Sequence, residues 1–347
     1  MKKVKPKKKK NINKLVILFI ILDLLVIGGF VMMYGPWDFV RNLYINTAMK
    51  TKDHQYFANI FYSKETIEKV MNSNYFITIN DNVDEDDIKI DTSEKDHYDN
   101  EYDREILTRT AGNNDYKIIN IKTGITKGYL IAIYDPTKVR LIRAKNFNVG
   151  SYGEQVTAMC NRYGGLVCIN GGGFVDHGTG SDIPLGYVIE NEEIVWPLTN
   201  HDTQRGNLIG FNKKGKLLLL SNATGEEALE KGMTDGLEFG PFLIVNGKSL
   251  EIVGDPWGRS PRVAIAQRKD GVVLFLVFDG ENYINGASMS DMLEILEKYG
   301  AYNAANLDGG HSTSLSINGK LYNNPPAMAK KQGGRYVVTG FGLIPWQ

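Results

Sequence analysis

Cysteine and histidine are scarce in this sequence, with two and five residues respectively in a chain of 347. His54, His97, His177, His201 and His311 are scattered singly and no Cys or His pair has ligand spacing, which leaves zinc-hydrolase chemistry of the usual patterns without support. Cys160 and Cys168 sit in apolar contexts, TAMCNRYG and GLVCING. Two thiols in an oxidising compartment can bridge, but a helix and a strand point their side chains by unrelated periods, so the favoured reading is two buried thiols on neighbouring elements. No G-x-x-x-x-G-K-[ST] run exists, which removes a P-loop. Internal repeats are also missing. Net charge is zero only in sum: eight lysines among residues 2–14 precede a long apolar run, and without them the remainder carries −8.

What the chain does have begins with that run. LVILFIILDLLVIGGFVMM, residues 15–33, contains one acid, Asp23. Nineteen helical residues rise about 28 Å, close to the hydrocarbon thickness of a bilayer. The basic residues 1–14 then form a cytoplasmic leader and the chain beyond the helix lies outside the cell. A cleaved signal peptide is the competing reading, but the run exceeds a usual signal core and no small-x-small site follows it. The expectation is a single-pass signal-anchor with the main domain extracellular.

Residues 34–110 read as an extracellular stem and acidic linker. Phe57, Ile60 and Phe61, then Ile67, Val70 and Met71, have helical spacing. Asp81 to Glu105 holds twelve acids, few large apolar residues and no glycine, which favours a solvated linker over a calcium loop of EF-hand type. From Tyr116 the pattern changes to short strands such as KIINI, KGYLIAIY and VRLIRAKN, interrupted by two helices, GEQVTAMCNRY and SMSDMLEILEKYG. This predicts an α+β domain over 111–347 with mixed β-sheets and flanking helices.

Three glycine-flanked polar clusters each follow an apolar strand: VCINGGGFVD at 167–176, LFLVFDGEN at 274–282 and NLDGGHSTSL at 306–315. Asn170, Asp279 and Asp308 thus fall at strand ends, where rigid backbone holds a side chain that remains open to a ligand. Any one cluster alone reads equally well as a turn, since Asp-Gly and Asn-Gly are turn formers. Gly310 to Ser314 nearly spells the G-x-S-x-G elbow, but the closing glycine is Ser314 and a strand pair follows, so a nucleophilic Ser312 is disfavoured. Arg262, in GRSPRVAIAQ directly before an apolar strand, is a candidate grip for a phosphate or carboxylate, with a surface ion pair as the plain alternative. Glu238 precedes a Gly-Pro turn and is the remaining acid in a glycine-rich apolar context.

Taken in order, INGGGF at 169–174, FGPFLIVNGK at 239–248, PRVAIA at 261–266, VFDG at 277–280, the helix SMSDMLEILEKYGA and NLDGGHSTSL resemble the phosphodiester glycosidase family. Gly173 and His311 depart from the family's usual N-G-G-F-F and D-G-G-G-S-S patterns, which bears on the substrate. The resemblance implies cleavage of a sugar C1–O–phosphate bond, with carboxylates beside an oxocarbenium-like transition state. It implies Asp308 as the carboxylate at the sugar with Glu238 and Asp279 as partners. Asn170 would fix a sugar hydroxyl beside Gly171 and Gly172, and Arg262, Ser312, Thr313 and the amides of Gly309 and Gly310 would hold the phosphate beside His311. The expected partner is a phosphate-containing glycan of the cell surface or wall, together with the membrane through residues 15–33, and no nucleic acid. No cofactor is called for, with a divalent cation such as calcium left open. A non-catalytic glycan-binding or exopolysaccharide-assembly protein using the same cleft is the alternative, and it differs in releasing no sugar.

Overall fold

The computed structural model describes residues 14–49, 55–176, 181–197, 204–280, 286–326 and 333–345. The basic leader, His177, His201 and the Glu281-Asn282 end of the second cluster lie outside the described residues. The chain divides into two compact units, Met1–Met71 and Asn72–Gln347.

In the first unit an apolar helix runs from Lys14 to Tyr34, with none of its side chains buried, and it is long and apolar enough to cross a membrane. Three short helices follow, Asp38–Met49, Gln55–Phe61 and Lys64–Asn72. Their apolar spacing gathers Ile45, Ala58, Ile67 and Val70 into a small core.

The second unit is built on three sheets. A seven-stranded sheet has the order Lys248–Ser249, Phe242–Val245, Ala301–Leu307, Arg262–Arg268, Val273–Phe278, Thr126–Ile133, Tyr116–Thr123. A five-stranded sheet has Val167–Asn170 at its centre, between Leu315–Ile317 and Thr339–Leu343. A second five-stranded sheet contains Met233–Glu238 between Val188–Glu190 and Gly206–Asn212. The α+β class holds. The sheets expected to be mixed are antiparallel at every described pairing, because tight hairpins such as Thr123–Thr126 and Asn318-Gly319 join neighbours directly. Val273–Phe278 is buried at all six positions and Arg262–Arg268 at all seven, so these strands carry continuous rather than alternating apolar runs. One core unites residues of all three sheets, among them Ile169, Leu237, Leu276 and Leu307.

The predicted helices are present as Val156–Arg162 and Met289–Lys298, the latter opened by a reciprocal capping box between Ser288 and Asp291. Two further helices, Glu101–Leu107 and Gly225–Glu230, were not anticipated, although Thr224 and Glu227 spell the same box for the second.

Two expectations are corrected. Cys160 and Cys168 form a disulfide, with Cα atoms 5.8 Å apart. The chain reverses at Gly164, and the Gly165 amide donates to Cys160 O, so the helix end is laid back against the strand that follows and the unrelated side-chain periods do not matter. The acidic stretch 81–105 is not a free linker. Ile88 and Ile106 are 1% and 0% exposed, the Lys89 and Asp91 amides donate to Lys269 and Asp270 carbonyls, and Arg268 pairs with Asp103 at 2.7 Å. Two buried isoleucines and one shared arginine fasten an otherwise charged segment to the sheet.

Candidate active site

Strand register delivers the acids. Val263 pairs with Leu307 and Arg262 with Phe278, so Asp308 and Asp279 leave their strands on either side of Pro261-Arg262. Pro261 sets their approach: a Cβ on Gly280 would lie 2.6 Å from its ring and one on Gly309 would lie 2.6 Å from its carbonyl oxygen. Only glycine after each acid permits this spacing.

Asn170 ties the first and third clusters together. Its side-chain amide donates to Asp308 O at 2.6 Å and its oxygen accepts from the Ser314 amide at 2.9 Å, while the Asp308 amide donates to Gly171 O. The Asp308 carboxyl accepts from the Ser312 hydroxyl and the Gly309 amide, and the Arg335 charge acts on it. Burial outweighs all three and pushes its pKa up to about 6.

Glu238 ends its strand against the same backbone. A Cβ on Gly171 would lie 2.5 Å from Leu237 and one on Gly172 would lie 3.1 Å from Glu238 O, so Gly171-Gly172 separates the two acids' segments. The Glu238 carboxylate lies between two further glycines, where a Cβ on Gly186 or Gly206 would lie 2.3 Å from Oε2 or 2.1 Å from Cδ. It accepts from the Tyr187 amide at 3.2 Å and from the Gln204 side chain. Burial again raises its pKa. Asp279 is 9% exposed and is held by the Asn324 amide at 2.8 Å and by Tyr129, whose hydroxyl is pushed up to about 12 by burial and by the Asp279 charge.

The groups expected to hold an anion are more committed than the sequence suggested. Arg262 is buried and donates to the carbonyls of Ala287, Trp257 and Gly258 at 3.2, 3.0 and 2.8 Å, and burial lowers its pKa to about 10. The Gly171, Gly172 and Gly310 amides donate to Thr339 O, Thr339 Oγ1 and Pro261 O. The Ser312 hydroxyl is engaged with the Asp308 carboxyl. Among the described residues the buried hydroxyls of Thr313 and Ser314 have no hydrogen-bond partner. His311 is half-buried on a single turn after Gly310. Sequence reasoning missed Arg335, which stacks 4.9 Å over the Phe174 ring of INGGGF and acts on Asp308. Its signal was available: it immediately precedes a strand, Tyr336–Val337, much as Arg262 opens its own, and here two glycines come before it. Among the described residues no three His, Cys, Asp or Glu side chains gather as a metal site.

A family model described as phosphodiester glycosidase matches residues 163–344. The chain belongs to the phosphodiester glycosidase family. Every element carrying Asn170, Glu238, Asp279, Asp308 and Arg335 falls inside the matched stretch. Relatives of this chain include the SPbeta prophage-derived protein YomE of Bacillus subtilis (strain 168), 26% identical over 178 residues, which are 49% of this chain and 27% of that protein. Another is the N-acetylglucosamine-1-phosphodiester alpha-N-acetylglucosaminidase of Bos taurus, 36% identical over 66 residues, 19% of this chain and 12% of that one. The chain therefore spans about a quarter or less of the length of these relatives. Among solved structures, the zebrafish N-acetylglucosamine-1-phosphodiester alpha-N-acetylglucosaminidase catalytic domain, auto-inhibited by its pro-peptide, superposes with a TM-score of 0.54 at 21% identity. That match covers 67% of this chain and 83% of the other, and it establishes a common fold.

Proposed function

We propose that this protein hydrolyses a sugar-1-phosphate diester in cell-surface or wall glycans from the outer face of the membrane, held there by its apolar helix. The observation that supports the reading is the approach of the Asp308 and Glu238 segments to the same Gly171-Gly172 backbone, with both carboxyls desolvated and the Arg335 charge acting on Asp308.

The chemistry follows from that arrangement. A water oxygen bonds to the anomeric carbon while the C1–O bond breaks and its electron pair leaves with the phosphate. The water proton passes to a carboxylate, for which Asp308, ionised above about 6, is the residue assigned. A phosphomonoester is a good leaving anion with a second pKa near about 6, so little acid help is needed there. Glu238 stabilises the cationic sugar, and Asp279, fixed by Tyr129 and Asn324, holds the loop that packs on Pro261 together with the Asp308 turn. The phosphate grip passes from Arg262 to Arg335: three carbonyls already occupy the first, whereas the second lies half-buried beside Asp308.

The test uses the full chain in detergent with a synthetic glycosyl-1-phosphate methyl diester, following free reducing sugar by chromatography. Wild type should release sugar and Asp308→Asn should not. Equal turnover in the variant refutes the residue assignment, and binding without release by wild type refutes hydrolysis in favour of a glycan-binding role.

A further inference from the structure

The apolar helix does not end freely. Its last turn is fastened to the short helices that follow: the Tyr62 hydroxyl donates to Met33 O at 3.0 Å, and the Tyr34 hydroxyl donates to Phe61 O at 2.6 Å. The Tyr34 and Tyr62 rings lie 5.8 Å apart, and Tyr44 packs against both Tyr62 and Phe61. Behind this weld lies the small core of Ile45, Ala58, Ile67 and Val70.

Outside that core the same helices leave large apolar groups uncovered. Phe39 is 76% exposed, Ile60 65%, Tyr56 54% and Trp37 52%. Tyr56, Phe57 and Ile60 share one face of the Gln55–Phe61 helix by their spacing, and the Tyr56 and Phe57 rings are 4.1 Å apart. Trp37 and Phe39 flank the first residue of the Asp38–Met49 helix, directly after the apolar span. Two tryptophan- and tyrosine-bearing segments, hydrogen-bonded to the end of a membrane-length helix, are held within a side chain's reach of the bilayer boundary. Amphipathic aromatics partition to that depth.

We propose that residues 37–49 and 55–61 form a membrane-seated collar, whose Trp37, Phe39, Tyr56, Phe57 and Ile60 side chains enter the headgroup–acyl boundary of the leaflet in which the apolar helix ends. The proposal rests on that helix spanning a bilayer. Continuity with the span selects lipid as the occupant, because the hydrogen bonds at Met33 and Phe61 leave the exposed face no independent position. The collar would fix the depth of the span and stop the stem from lifting away from the surface.

Single-cysteine labelling tests this, since the two native cysteines are already joined in a disulfide. The full chain, carrying Leu25→Cys, Phe39→Cys, Ile60→Cys or Glu68→Cys with an environment-sensitive dye, is reconstituted in phosphatidylcholine vesicles containing lipids spin-labelled at shallow or deep positions. Leu25 should be quenched by the deep label. Phe39 and Ile60 should be quenched at least twofold more by the shallow label than the exposed Glu68 control. If Leu25 is quenched while Phe39 and Ile60 match Glu68, the span stands and the collar is refuted. If Leu25 is also unquenched, the span fails and the collar falls with it. If Phe39 and Ile60 are shielded from lipid but transfer energy between chains, the face is covered by a second copy and the proposal is overturned.

Discussion

Replacing Asp308 by asparagine should make the protein more stable while destroying its activity. The carboxyl has an ordinary value of 3.8 and a folded value of about 6, raised because burial penalises its charged form more than Ser312, Arg335 and the Gly309 amide favour it. A group raised in this way binds more protons in the folded than in the unfolded chain between those two values, so stability is full below 3.8 and falls as pH rises toward about 6. At about 1.36 kcal/mol per pH unit, the loss above pH 6 is on the order of 3 kcal/mol. Asparagine fills the same volume, still accepts from Ser312 and never ionises. Urea unfolding of the full chain in detergent, followed by tryptophan fluorescence from pH 3.5 to 8, should therefore give wild type a steeper declining limb between pH 4 and 6 than Asp308→Asn, in which only other buried acids such as Glu238 still contribute. The variant should exceed wild type by about 2–3 kcal/mol at pH 7. Parallel profiles would refute the desolvation of this carboxyl, and a variant less stable at neutral pH would mean that its charge holds the loop together.

Other substitutions separate roles within the site. Gly206→Ala would place a methyl group where the Glu238 carboxylate lies, and should lower kcat/KM about tenfold or more with an unchanged fold by circular dichroism. Arg335→Ala should raise KM for a phosphodiester about 10- to 100-fold, whereas Arg262→Ala should act mainly on stability, costing on the order of 3 kcal/mol because three carbonyls lose their donors. Equal KM effects from the two would overturn the reassignment of the anion grip. The double change Cys160→Ala with Cys168→Ala should lower stability by about 2.5 kcal/mol, the loop-closure value for a bridge across eight residues, measurable by thermal unfolding with and without reductant. Activity should rise with an apparent pKa near 6 as Asp308 ionises, and a profile flat through that region would remove it as the proton acceptor.

Asp308, Asn170 and Asp279 were legible in the sequence because each follows an apolar strand and precedes glycine, a pattern that survives folding as a strand end. Glu238 was visible only as an acid near a turn; its enclosure depends on Gly186 and Gly206, 52 and 32 positions earlier in the chain, and no local rule joins residues at that range. Arg262 was named for its place before a strand, but the carbonyls that occupy it come from the Trp257–Gly258 turn and from Ala287, whose approach requires the folded chain. Arg335, at the start of a short strand pair, acts on Asp308 instead. The acidic stretch misled for a related reason. Composition counts its twelve acids equally, whereas Ile88, Ile106 just beyond it and the shared Arg268 fasten it to the sheet.

Pro261 has a consequence for motion. Asp279 and Asp308 reach the site on separate strands, yet the glycine after each is pressed against this one residue, and the Gly310 amide donates to its carbonyl. A displacement of the Ser260-Pro261 turn must carry both acids with it. The pair is a single mechanical part, so substrate adjustment has to come from the Glu238 side, on a five-stranded sheet, and from Arg335, beside the small Tyr336–Val337 and Glu154–Gln155 pairing.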